Sequence, residues 1–380
     1  MNEQQITALL REEWDTTQVG PAPVDAVMVS PTGPSRPRLL AGAGVGLAAA
    51  VTLAAVLVAG GDDPRTVEPA GPDLARQTNP LDIAWYDGDV LHLRAVGVPM
   101  DLVLDVAPVA DGRTYGAVIS RLVDDVVEVV HVDASGEQTV IGTIGEDADV
   151  VGSSQETVVA WAAGSGRDRE VVAYDTATAR ELGRTPLPAD SPGATPVAVD
   201  DGAVFLADPR GTQVWVPGEG APSPYDAGEG LLLDVAAGLH LVAAPDLRTV
   251  SFGPVGAGRS LPGAGGPTGL SDDGSYVLPG SGLGVGTVRA AEFPVHRTGD
   301  GEIVSLDLDP ETPVLDAALG TDSVTYVVGR DFVVPEGLDD PAGYQVFELL
   351  TCDLASGACD TAVADVGSDP SPRSPVVLAR

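Results

Sequence analysis

Four histidines are the only imidazoles in this chain of 380 residues, and they are scattered as His92, His131, His240 and His296. A metal pair or a general base with its partner needs such groups close together, and no two of these are spaced for that. Paired carboxylates such as Asp124-Asp125 and Asp200-Asp201 flank turns, where solvation and turn capping account for them. Glycosidic chemistry would need two carboxylates facing each other across a defined gap. SLDLDPE (305–311) sets Asp307, Asp309 and Glu311 in a calcium-like rhythm but lacks the turn glycine and the bidentate Glu at the proper offset. Alternating exposed strand positions explain it better. The glycine-rich GSGLGVG (280–286) has neither a following helix nor an adjacent cation, so it reads as a loop rather than a phosphate cradle. There is no G-x-S-x-G and no lysine, which removes Lys-based nucleophiles and Schiff bases. No catalytic, metal-binding or cofactor-binding residue is therefore assigned, and no cofactor is expected.

The one covalent feature is a cysteine pair. Cys352 and Cys359 flank DLASGA within YQVFELLTCDLASGACDTAV. Two strand-like segments joined by a Ser-Gly turn bring the cysteines opposite each other, so the spacing predicts a structural disulfide. A redox or metal pair would need a shorter spacing and further ligands.

Three kinds of element must position these groups. Leu39–Gly60 is a run of 22 residues without a charge, which at ~1.5 Å per helical residue spans the hydrocarbon core of a bilayer. Arg36 and Arg38 precede it, and Asp62 and Asp63 follow. The excess of positive charge on its N-terminal side predicts a cytoplasmic N-terminus and an extracytoplasmic remainder, where a disulfide persists. A cleaved signal would have a shorter leader than 38 residues and a shorter apolar core.

Residues 1–38 are too few for a core. Asn2 with Gln5 resembles a capping box, and Ile6, Leu9, Leu10 and Trp14 recur at helical spacing, which predicts an amphipathic helix over 3–15. That apolar stripe is the candidate docking face for a cytoplasmic regulatory protein. Prolines then hold the chain extended up to the membrane. Residues 61–79 read as a linker rich in Pro, Gly and Asp.

Of the 56 acidic residues, 51 lie beyond Gly61, with only 17 of the 20 arginines. With a net charge of −36, the outer part repels nucleic acid and anionic headgroups, so neither is expected as its partner. The absence of Lys points to GC-rich bacterial coding.

Residues 80–380 carry no long helical pattern. Seven segments share one form, a turn followed by an alternating apolar strand: WYDGDVLHL (85–93), VADGRTYGAVI (109–119), GSSQETVVAWA (152–162), VDDGAVFLA (199–207), AAGLHLVAA (236–244), LSDDGSYVL (270–278) and LGTDSVTYVV (319–328). Gly202, Gly238 and Gly274 are 36 residues apart. Repetition at this period through all-β sequence predicts a β-propeller, with seven blades favoured over six. The terminal SPVVLAR (374–380) is expected to add a strand to the first blade and close the ring.

LSDDGSYVL resembles the S-P-D-G strand signature of TolB-type propellers, with Asp272 where that signature has Pro. VVAYDTATARELGRTPLP is similar to the D-T-A-T-G-K-V turn of YVTN-type and quinoprotein-like propellers, with Arg180 in place of the turn glycine. Trp-Asp and kelch signatures are absent. The resemblance implies blade geometry rather than an activity. Two function classes follow: an extracytoplasmic binding or sensing module on a single-pass anchor, or an anchored propeller enzyme such as a lactonase, hydrolase or quinoprotein. The enzyme requires acidic ligands or His converging at the central channel; the module does not. The opening MNEQQITALLREEW is similar to the tails of single-pass proteins that accompany extracytoplasmic-function sigma factors, which favours the module.

Overall fold

The computed structural model describes residues 65–66 and 78–379, apart from 113, 146–148, 188–193, 209, 255–257, 264–267, 281–287, 334–342 and 367–375. The expected helix over 3–15, its docking residues Ile6, Leu9, Leu10 and Trp14, the span 39–60 and most of GSGLGVG lie outside the described residues. Among the described residues, no helix is long and apolar enough to cross a membrane.

Seven antiparallel sheets follow one another along the chain, each a propeller blade whose strands run in order from inside to outside. Blade 2 has strands Val103–Asp111, Thr114–Val123, Val126–Val132 and Gln138–Thr143. The inner strands of blades 3 to 7 are Val150–Val151, Thr195–Asp200, Leu231–Ala236, Gly269–Leu270 and Pro313–Leu319. Each hairpins into the second strand of its blade through one of the turns recognised in the sequence. Gly202, Gly238 and Gly274 hold φ of +70°, +73° and +69° there, the backbone region in which a side chain is strained.

Blade 1 is built differently. Its second, third and outer strands are Trp85–Tyr86, Val90–His92 and Gly97–Pro99, whereas Val377–Leu378 from the C-terminal end supplies its innermost strand. The chain thus closes the ring on itself, as SPVVLAR predicts. The first of the seven sequence echoes, WYDGDVLHL, consequently marks the second-to-third hairpin of its blade rather than the inner one.

The core is divided among the seams between blades. Trp161 packs with Val109 and Val129 between blades 2 and 3, Phe205 with Leu232 and Val235 between blades 4 and 5, and Tyr326 with Phe293 and Val295 between blades 6 and 7. The closing seam joins Trp85 and Leu378 to Val327 and Leu349 of blade 7. An inner or second strand is therefore covered on both faces, and VVAWAA (158–163) is buried at every position. This is why those strands read as continuous apolar runs.

Segment 61–79 contributes two anchors to the propeller. Arg65–Thr66 forms an extra edge strand antiparallel to the outer strand of blade 2. Asn79 is buried in the first seam, where its side-chain amide donates to the Ile83 carbonyl and its oxygen accepts from Leu81 N and Trp85 Nε1.

Cys352 and Cys359 face each other across the hairpin of the third and outer strands of blade 7 and form the predicted disulfide. Cys352 is fully buried. SLDLDPE is not a strand: it makes turns, in which the Asp309 carboxylate accepts from Glu311 N and Glu311 pairs with Arg289. The alternation of exposure is present, but a chain of turns produces it.

Candidate functional site

A cavity of about 330 Å³ runs along the propeller axis, lined by inner strands from all seven blades. Small apolar side chains make much of its wall, among them Ala84, Ala198, Ala236, Ala317 and Ala379, and between them stand Asp82, Asp105, Asp149, Asp234 and Asp272. Among the described residues, no Arg or His lines it.

The origin of these carboxylates is a motif that sequence reading passed over. VLDVA (103–107), LLDVA (232–236) and VLDAA (314–318) repeat Leu-Asp-Val/Ala-Ala on three inner strands. Each carries a β-bulge at the same place, between Val103 and Asp105, Leu232 and Asp234, and Val314 and Asp316. A bulge leaves a backbone N–H outside the ladder and turns a side chain out of register. The Asp answers that need. Asp234 Oδ1 accepts from Val235 N at 2.8 Å, and Asp316 Oδ1 accepts from Ala317 N at 2.8 Å. The other oxygen of Asp234 reaches the next blade and accepts from Leu270 N at 2.8 Å; Asp105 likewise accepts from Val150 N at 3.1 Å.

A second circle of ties lies where the inner hairpins turn. Glu156 of blade 3 accepts from Asp201 N of blade 4 at 3.1 Å. Asp200 accepts from Ala237 N and Gly238 N of blade 5 at 3.0 and 2.9 Å. Ser323 of blade 7 donates to Asp82 at 2.5 Å, joining the last blade to the start of the first. One tie crosses the axis: Ser153 Oγ of blade 3 donates to Asp272 Oδ1 of blade 6 at 3.1 Å, and Ser154 Oγ donates to the other oxygen. Asp272 is the residue that departs from the S-P-D-G signature, and that departure was the available signal. Its neighbour Asp273 does the ordinary work of the turn, accepting from Ser275 N and Ser271 Oγ.

Burial in the channel pushes the Asp234 carboxyl up to about 6, the backbone N–H bonds opposing and the nearby Asp272 and Asp200 charges adding to the rise. Burial also raises Asp272, against the hydrogen bonds from Ser154 and Ser153.

The four histidines lie in four different blades. His92 stacks on Trp85 with ring centroids 3.9 Å apart and meets Asp87 at 2.8 Å. His131 is held below the usual imidazole value by burial. His240 meets the Tyr225 hydroxyl at 2.7 Å, and His296 lies against the Gly301 carbonyl. Among the described residues, no three His, Cys, Asp or Glu side chains are grouped to hold a metal ion.

No family profile matches the chain, and no curated protein matches it. Solved β-propellers do. The chain is similar to the propeller domain of the Trilobed protease from Pyrococcus furiosus (12% identity, 72% of this chain and 86% of that one, TM-score 0.45). It is also similar to TolB from Acinetobacter baumannii (12% identity, 74% and 58%, TM-score 0.39) and to the computationally designed protein Ika8 (14% identity, 77% and 89%, TM-score 0.41).

Proposed function

We propose that this protein is a single-pass, membrane-anchored interaction or sensing module. In this reading residues 39–60 cross the bilayer, the N-terminus is cytoplasmic and the propeller extracytoplasmic. Residues 3–15 dock a cytoplasmic regulatory protein through Ile6, Leu9, Leu10 and Trp14.

The observation that carries the reading is the commitment of the channel's carboxylates. Asp82, Asp105, Asp234 and Asp272 each accept a hydrogen bond that joins one blade to another. A catalytic carboxylate must be free to exchange a proton or a ligand with substrate, whereas these hold the ring together. That arrangement supports a rigid platform that presents its faces to partners. The disulfide supports an oxidising location.

Topology is tested with alkaline phosphatase fusions. Fusions after residue 80 are expected to be active and fusions before residue 38 inactive; the reverse pattern refutes the orientation. Inward docking is tested by crosslinking from position 14 in cells. A crosslink abolished by Leu10→Asp supports a docked tail. One that is unchanged reduces residues 3–15 to a leader for the anchor.

A further inference from the structure

Exposed apolar side chains are not spread evenly over the propeller. Leu102, Leu104, Leu122, Val123 and Val126 are five of the ten large apolar residues left exposed among those described, and all belong to one end of blade 2. Inner strands begin on this face, and the turn between second and third strands lies on it too. The backbones of the five adjoin at one hairpin end, with Val123 and Val126 on one face of the sheet and Leu122 on the other. Leu122 N donates to the Leu102 carbonyl at 3.1 Å, Val123 pairs with Val126, and Leu104 occupies the bulge beside them. A patch of this kind on a soluble domain marks a contact surface.

The local backbone is costly to hold. Leu102 sits at φ +50°, and the two-residue turn at Asp124 and Asp125 at +47° and +65°. Asn-Gly would make such a turn with less strain. The sequence instead frames the apolar residues with carboxylates: Asp101, Asp124 and Asp125 are all exposed. The nearest cation, Arg121, is held by Glu128 at 3.0 Å.

We infer that this end of blade 2 docks a protein segment that alternates apolar with basic side chains. The inference rests on the interaction-module reading above and adds the surface and the chemistry of the partner. A second copy of the chain would set acidic frame against acidic frame, between molecules that each carry −36. The bilayer is the other competitor. The strand Arg65–Thr66 enters blade 2 from this same face, since it runs antiparallel to the outer strand. Pressing Val123 and Val126 into lipid would carry the Asp124-Asp125 tip in with them, which a headgroup layer resists.

The probe is a labelled (Arg-Leu)4 peptide titrated onto the full chain in zwitterionic nanodiscs, with (Arg-Ser)4 and (Glu-Leu)4 as controls. We expect (Arg-Leu)4 to bind at least tenfold more tightly than either control. Leu122→Thr with Val126→Thr, which keeps strand propensity on an exposed hairpin, should lower that affinity at least tenfold. Asp124→Asn with Asp125→Asn should flatten its salt dependence. Leu231→Thr with Leu247→Thr in blade 5 should change nothing. Equal binding of (Arg-Ser)4, or affinity unmoved by the blade 2 variants, overturns the inference. A benzoylphenylalanine photocrosslinker placed at Val123 in cells separates the occupants: adducts to lipid, or to a second copy, overturn it. Protein adducts from Leu247 but none from Val123 also overturn this surface while leaving the interaction-module reading in place.

Discussion

Replacing Asp234 with alanine should change stability by an amount that depends on pH, and the direction is fixed by linkage. The carboxyl moves from an unfolded value of 3.8 to about 6 in the folded chain. The folded state therefore binds the proton more tightly, and the group's contribution to stability is greatest below pH 4. It falls as pH rises through 4 to 6 and stays at its lowest above. A shift of about two units corresponds to about 3 kcal/mol at 1.36 kcal/mol per unit. Asp234 is half-buried at the channel wall, which weakens the effect, so about 1–3 kcal/mol is the range expected. Removing the side chain also strands the N–H groups of Val235 and Leu270, which costs about 1–3 kcal/mol for each at every pH. Asp234→Ala is thus expected to be destabilising at both pH 4 and pH 8, by about 1–3 kcal/mol more at pH 4. Urea titrations of the full chain in detergent, followed by tryptophan fluorescence at both values, measure the difference. Burial raises the nearby Asp272 carboxyl as well, so the same comparison in an Asp272→Asn background separates its share. A wild-type-minus-variant difference that is flat with pH, or that grows as pH rises, refutes the reasoning.

Two further perturbations probe how the ring is held. Cys352→Ser should lower stability by at most about 2–3 kcal/mol, the entropy of an eight-residue closed loop, because the hairpin already holds the ends together. Mass spectrometry of alkylated, non-reduced protein should find no free thiol in the wild type. Leu378→Ala empties a buried site beside Trp85 in the closing seam and should cost about 2–4 kcal/mol. Hydrogen exchange should localise that loss to the Trp85–Tyr86 strand. Faster exchange spread evenly over all seven blades would mean that the terminal strand does not close the ring.

Much of the architecture was legible because its signals are local. A turn with Asp and Gly followed by alternating apolar residues is decided within about ten positions. Six of the seven echoes mark the same inner hairpin in successive blades. The exception, WYDGDVLHL, sits one hairpin further out because the inner strand of its blade comes from nearly 300 residues away, and no local signal carries that displacement. The terminal strand itself was legible from ring closure rather than from its own residues. The Leu-Asp-Val/Ala-Ala motif was visible as a repeat, yet its purpose was not. Asp234 finds Leu270 36 positions on, and Asp105 finds Val150 45 positions on. Only the stacking of blades makes those pairs neighbours. Asn79 is a similar case: it ends a stretch that reads as linker, and its burial depends on Trp85 and Tyr115 folding around it.

The division of labour in this propeller follows from its composition. Aromatic residues make up only 4% of the chain, so the seams are filled mainly by Val, Leu and Ala. Small side chains pack flat strands closely but give few contacts at the narrow axis, where seven strands converge. Carboxylate-to-backbone ties fill that deficit there, and Asp serves well because one oxygen can satisfy the bulge while the other reaches the next blade. The same choice places ionisable groups along the channel wall and makes the axis sensitive to pH. In the reading proposed above, recognition would fall to the rim: Asp82, Asp105, Asp234 and Asp272 are each tied to another blade, whereas one end of blade 2 sets exposed leucines and valines beside the exposed Asp101, Asp124 and Asp125.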